Sequence, residues 1–168
     1  NDLGNIPDTF KRRLEELKKF RKTAKKSRNT FDYAYLSVAD YYCNLAEQIY
    51  GEIEQSPYRK LTEMYREEGC ICHRDYTGHN ILLGKNEAVL NFESSCIDLP
   101  VYDVANFLRR RMRKCGWSVG DAEFILNNYS KTRTLSDDEI VVLKIFFIEL
   151  REKWLRWRGT SYAAHLSL

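Results

Sequence analysis

Apolar residues recur along most of this chain at three- and four-residue steps, and between residues 70 and 93 that rhythm gives way to short apolar runs separated by polar turns. The helical rhythm starts with Phe10, Leu14, Leu17 and Phe20, which predict an amphipathic helix over 8–27 with Asp8 as N-cap after Pro7. A broader stripe of Phe31, Tyr35, Val38, Tyr42, Leu45, Ile49 and Ile53 predicts a more buried helix over 30–53, capped by Thr30 and widened by Tyr33, Tyr41 and Tyr50. Aromatic side chains at helical spacing read as core rather than as a ligand box. Ser56-Pro57 opens a third helix over 57–68, with Leu61, Met64 and Tyr65 inward and Gly69 as its stop. After a connector over 94–100, helices are predicted at 101–114, at 119–130 behind a Ser118 cap, and at 137–158. Their inward positions are Val104, Phe107, Leu108 and Met112, then Ala122, Ile125, Leu126 and Tyr129, and finally an apolar set from Ile140 to Leu155. The last helix has a capping-box-like start at Leu135-Ser136-Asp137-Asp138-Glu139. The fold class is therefore α+β, mainly α.

The interruption at 70–93 carries the chemistry. Cys70-Ile71-Cys72 runs into His73-Arg74-Asp75-Tyr76-Thr77-Gly78-His79-Asn80, and Ile81-Leu82-Leu83 runs out of it. A turn at Gly84-Lys85-Asn86-Glu87 and a second run, Ala88-Val89-Leu90, complete a predicted β-hairpin that ends on Asn91-Phe92-Glu93. The pattern H-x-D-x-x-x-x-N before a hairpin, and polar-Phe-acid after it, is how kinase-type phosphotransferases lay out their catalytic and metal loops. Such transfer needs a carboxylate to take the proton of the attacking hydroxyl, the place of Asp75. It also needs oxygen ligands for a divalent ion near the phosphates, the places of Asn80 and Asn91. His73 reads better as a loop-locking histidine, bonded to backbone or to an acid, than as a base.

The stretch resembles the catalytic loop of the aminoglycoside-phosphotransferase and choline-kinase-like superfamily more than that of protein kinases. Protein kinases share His-Arg-Asp, but Glu93 stands where their Asp-Phe-Gly carries Gly, and Ile97-Asp98-Leu99-Pro100-Val101-Tyr102-Asp103-Val104-Ala105 is similar to the acid-apolar-Ala segment of the small-molecule kinases. The segment from Asp103 to Trp117, with Ile6-Pro7-Asp8 to Lys26 and Phe31-Asp32, resembles the bacterial spore-coat CotS-type proteins most. The resemblance implies the C-terminal lobe of a protein-kinase-like fold over 1–168, with 70–93 as its catalytic-loop and metal-loop hairpin. It implies ATP and Mg²⁺ for the full-length protein, a hydroxyl-bearing substrate, and Asp103 holding the catalytic loop through backbone N–H groups. Other spore-coat proteins are the implied partners, and the cytoplasm or the spore coat the implied location. One departure stands out: Asn91 occupies the place of the metal-loop Asp, which removes a negative charge from a site for a hard dication.

Composition limits the alternatives. The 168 residues amount to one domain, or one lobe of a larger one. An apolar share of 43% supports a core, and the net charge of +3 is too small to argue for nucleic acid. No apolar run reaches about 18 residues, so no membrane span is expected, and no secretory signal peptide is visible. The chain opens Asn1-Asp2-Leu3 and holds neither a phosphate-covering loop nor a strand lysine ahead of residue 70, so the N-terminal lobe is expected to be absent and the fragment inactive by itself. Five cysteines without a C-x-x-C pair read as reduced thiols of a cytosolic protein, and Cys70-x-Cys72-His73 lacks the four ligands of a zinc site. The Lys/Arg face of 8–27 reads as solvated or, more sharply, as an electropositive flank for an anionic substrate or partner. The cations Arg109 to Lys114 suit a helix C-terminus. Three functions follow: an ATP-dependent phosphotransferase, a degenerate kinase-like structural protein of the spore coat, and a basic anion-binding helical domain.

Overall fold

The computed structural model describes residues 4–26, 29–116 and 118–147. Three helices come first: α1 (Ile6–Ala24), α2 (Thr30–Gln55) and α3 (Tyr58–Glu68). The helix α1 starts two residues before the predicted point, because Pro7 sits in its first turn, where no N–H is needed, and Asn5 takes the cap position. Asp8 is thus a first-turn acid, not the cap. The cap of α2 is likewise one residue earlier than predicted: Asn29 Oδ1 accepts from the Asp32 N–H at 2.9 Å. That helix runs on through Gly51. Gly69 ends α3 in the left-handed region at φ 68°, and the Cys70 N–H reaches back to the Tyr65 carbonyl at 3.1 Å, a Schellman closure.

Four two-residue strands follow: β1 (Ile71–Cys72), β2 (Ile81–Leu82), β3 (Ala88–Val89) and β4 (Cys96–Ile97). The hairpin pairs β2 with β3, Ile81 opposite Val89. It is nested inside a second antiparallel pair, β1 with β4, in which Ile71 faces Ile97 and Cys72 faces Cys96. The Asp98 N–H donates to the Cys70 carbonyl at 3.1 Å and lengthens that pair. The segment 94–100 is therefore not a plain connector; part of it is a strand, too short to show a period of two.

The helices α4 (Pro100–Lys114) and α5 (Val119–Ser130) fall where the apolar spacing puts them, and Ser118 Oγ accepts from the Asp121 N–H at 3.3 Å as the cap of α5. The last helix, α6, is described over 137–147; the remainder of the predicted 137–158 helix lies outside the described residues. Its start is a two-way capping box: the Ser136 N–H donates to Glu139 Oε2 at 2.9 Å and the Glu139 N–H to Ser136 Oγ at 3.3 Å. One core joins Ile49 and Ile53 of α2, Tyr58, Leu61 and Tyr65 of α3, Val104 and Leu108 of α4, and Val142 and Phe146 of α6.

The first half of α2 departs from the expected core stripe. Phe31 is 76% exposed, and Tyr33, Val38 and Tyr41 also face solvent, while Ala39 and Cys43 are buried. Small side chains at 39 and 43 let α1 approach closely, so the contact face is rotated away from the large residues. On α1, Leu14 is buried and Phe20 exposed. Part of its basic face is paired: Lys18 meets Glu47 of α2 at 2.5 Å and Arg21 meets Asp40. Among the described residues no helix is long and apolar enough to cross a membrane.

Candidate functional site

The loop between β1 and β2 is held from below by the first turn of α4. Asp103 accepts the N–H groups of His73 at 2.6 Å and Arg74 at 2.8 Å, one on each carboxylate oxygen. Arg74 is in the left-handed region at φ 68°, a conformation that costs a non-glycine residue about 1 kcal/mol or more. Its side chain is anchored on both faces. The guanidinium pairs with buried Asp98 and lies 4.0 Å above the Tyr102 ring. Burial pushes the Asp98 carboxyl above the ordinary aspartate range, against the pull of the Leu99 N–H and of Arg74.

His73 is buried, and both ring nitrogens have partners. Nδ1 accepts from the Asp75 N–H at 3.2 Å, so Nε2 carries the proton and donates to the Leu90 carbonyl at 2.8 Å. The ring thereby links the loop to the residue between β3 and Asn91, and it packs against Phe92 with centroids 4.7 Å apart. In this geometry His73 braces the loop and has no nitrogen left to act as a base.

Asp75, Asn80 and Asn91 lie side by side. Asn80, buried at the end of a 3₁₀ turn over Gly78–Asn80, donates from Nδ2 to the Asp75 carbonyl at 2.8 Å and to Asp75 Oδ2 at 3.0 Å. Asn91 donates from Nδ2 to Asn80 Oδ1 at 2.8 Å, its backbone left-handed at φ 63°. The Leu90 N–H donates to the Asn80 carbonyl at 2.8 Å and fixes the hairpin against the loop. One contact is not foreseeable from the pattern: Arg110 of α4 reaches Asp75 Oδ1 at 2.7 Å, with both side chains 44% exposed. The cluster from Arg109 to Lys114 is thus only partly a solvated helix end, since Arg110 faces the site and Arg111 pairs with Asp121 at 3.3 Å.

These residues do not suit a hard dication as they stand. Asp75 is neutralised by Arg110, and the two amides that could offer oxygen are bonded to each other. Glu93 sits exposed on the next 3₁₀ turn, and among the described residues no hydrogen bond joins it to Asp75, Asn80 or Asn91. Nor do the described residues include a group of three or more His, Cys, Asp or Glu able to hold a metal. The thiols make no such group either. All five cysteines are free, and Cys72 is buried with Sγ on the Asp98 carbonyl at 3.1 Å. Burial, then Asp103, drives that thiol far above its ordinary pKa, so it is an inert core group. A groove of about 640 Å³ runs between α1, α2 and α4, lined by Phe10, Leu14, Tyr42, Ile49 and Tyr102 among others. It touches Arg74 but not Asp75, Asn80 or Asn91.

Comparison with known proteins fits this layout. Residues 8–130 match the family described as phosphotransferase enzyme family. Among solved structures the chain is similar to an aminoglycoside phosphotransferase from Alicyclobacillus acidocaldarius, at 22% identity and a TM-score of 0.73. The match covers 84% of this chain and 45% of that one, so the chain spans less than half the length of this relative. At that identity the likeness speaks for the fold: a mostly helical, kinase-like α+β architecture with small strand pairs.

Proposed function

The chain belongs to the phosphotransferase enzyme family, and from that premise we propose that it is the base-bearing C-terminal lobe of a small-molecule-kinase-like protein of the spore-coat CotS type. In the parent chemistry ATP donates its γ-phosphate to a hydroxyl, and Asp75 takes the hydroxyl proton. In this chain the loop architecture of that reaction is kept while its charge balance is not. The observation that carries the reading is the engagement of the site with itself: Arg110 on Asp75, Asn80 on Asp75, and Asn91 on Asn80. A lobe so closed serves as a scaffold, a kinase-like structural and interaction protein whose partners are other coat proteins.

The second reading, an active ATP- and Mg²⁺-dependent transferase, is favoured by one observation. Asp75 remains 44% exposed on a loop held rigidly by Asp103, so a hydroxyl can reach it. The two readings separate in one experiment on the full-length protein, supplied with ATP, Mg²⁺ and a panel of hydroxyl acceptors. Phosphoryl transfer is expected to stay at background and to be unchanged by Asp75→Ala. Turnover that Asp75→Ala abolishes would replace the scaffold reading with the enzyme. The basic face of α1 offers a weaker third role, since Lys18 and Arg21 are already paired with acids of α2.

A further inference from the structure

We propose that the side-chain amide of Asn91 stands in for a cation at Asn80 Oδ1 and so keeps a divalent-ion site shut, and that a carboxylate at position 91 opens it. The inference rests on the closed-site reading and names the residue responsible for it.

The orientation of the amides follows from the one group that can only accept. Asp75 Oδ2 is a carboxylate oxygen, so Asn80 must turn Nδ2 toward it, at 3.0 Å. Asn80 Oδ1 then points the other way, and Asn91 must answer it with Nδ2, at 2.8 Å. An amide hydrogen therefore fills the space between the two side chains. Two adjacent oxygens of an octahedral Mg²⁺ site, each about 2.0–2.1 Å from the ion, are about 2.9 Å apart. At 2.8 Å the Asn80–Asn91 pair has the ordinary length of an N–H···O hydrogen bond, which is also about one edge of such a site, so the exchange of an amide for a carboxylate needs no change of spacing. With an aspartate at 91, oxygen would face oxygen at this distance, a repulsion that a bound cation turns into attraction.

Nothing else in the corner has to move. The left-handed backbone of residue 91, φ 63° and ψ 62°, is one that Asn and Asp both adopt. Residue 91 is exposed, so an unliganded aspartate there is solvated. Asn80 is buried and held by the Thr77 and Leu90 backbone, so its oxygen stays aimed at the same point.

The test is Mn²⁺ titration of the full-length protein, read by water-proton relaxation and by paramagnetic broadening of the Asn80 and Asn91 side-chain resonances. The wild type is expected to leave those resonances sharp. Asn91→Asp is expected to bind Mn²⁺ at least tenfold more tightly than wild type, with the gain lost when Asn80→Ala is added. Specific broadening in the wild type would overturn the proposal, and so would an Asn91→Asp protein of unchanged melting temperature that gains no affinity. A gain that survives Asn80→Ala would overturn it as well. The wild-type arm decides even if the variant fails to fold. Phosphoryl transfer by the wild type would sink the scaffold reading separately, and Mn²⁺ broadening would then report whether the transfer uses this corner.

Discussion

Asp103 is the residue on which the loop geometry hangs. Its two carboxylate oxygens accept the His73 and Arg74 N–H groups, and so hold Arg74 in a conformation the residue would otherwise leave. Removing the carboxylate leaves two backbone donors and a strained dihedral uncompensated. Asp103→Ala is therefore expected to destabilise the protein by about 3 kcal/mol, seen as a lower urea midpoint with an unchanged slope. Asp103→Asn, which keeps one acceptor oxygen, should fall between the two. A midpoint shift within error for Asp103→Ala would show that the loop is held from elsewhere. The family resemblance singled this acid out in the sequence, whereas its position alone marked it as a first-turn helix residue. Arg110 was invisible in the same sequence. It lies 35 residues from Asp75, inside a run of cations that a helix end accommodates anyway, and its aim depends on how α4 sits.

Elements were legible in proportion to their length. Helices with many apolar repeats emerged with nearly correct bounds, while two-residue strands such as β4 present no period to read. The start of α6 shows how a cap can carry more than local weight. Glu139 closes its capping box and, buried, also accepts from Tyr65 at 2.7 Å and meets Arg133 at 2.5 Å, which ties α6 to α3. Burial alone would raise its pKa, but Arg133, the Ser136 N–H and Tyr65 together hold it below the ordinary glutamate value. A depressed carboxylate adds stability above its unfolded pKa and loses that contribution as pH falls through the native value. Asp98 has the opposite sign: with its pKa raised, its contribution is present at low pH and is lost as pH rises through the native value. The Glu139 contribution to wild-type stability should thus be lost on acidification from the ordinary glutamate range downward. Glu139→Gln should be less stable at neutral pH by about 2 kcal/mol and should show a flatter acid limb in urea titrations between pH 3 and about 6. Parallel curves for the two proteins would remove Glu139 from this account.

At the scale of the whole molecule, part of the apolar surface left outside the core among the described residues lies on α2. Phe31, Val38 and Tyr41 follow one another at steps of seven and three, which puts them on one side of the helix, and all three face solvent. The sequence stripe foretold a buried helix correctly in its second half and wrongly in its first. Hydrophobic periodicity reports which side is apolar, not which apolar residues find a partner within the chain. Phe31→Ser with Tyr41→Ser is expected to change folding stability by no more than about 0.5 kcal/mol each, read from the urea midpoint. A loss of several kcal/mol would mean that this side is packed in solution.

The nesting of one strand pair inside another has a topological corollary. The hairpin and its exposed turn at 83–87 form a bight whose two ends are buckled together by β1 and β4. The corner from Asp75 to Asn91 hangs inside that buckle, with His73 and Asn80 tacking its two sides to each other, while Asp103 and Arg110 reach it from α4. A cut through the turn would sever the polypeptide without unfastening the site, and two separately made pieces meeting at that point would have a ready-made seam along which to rejoin.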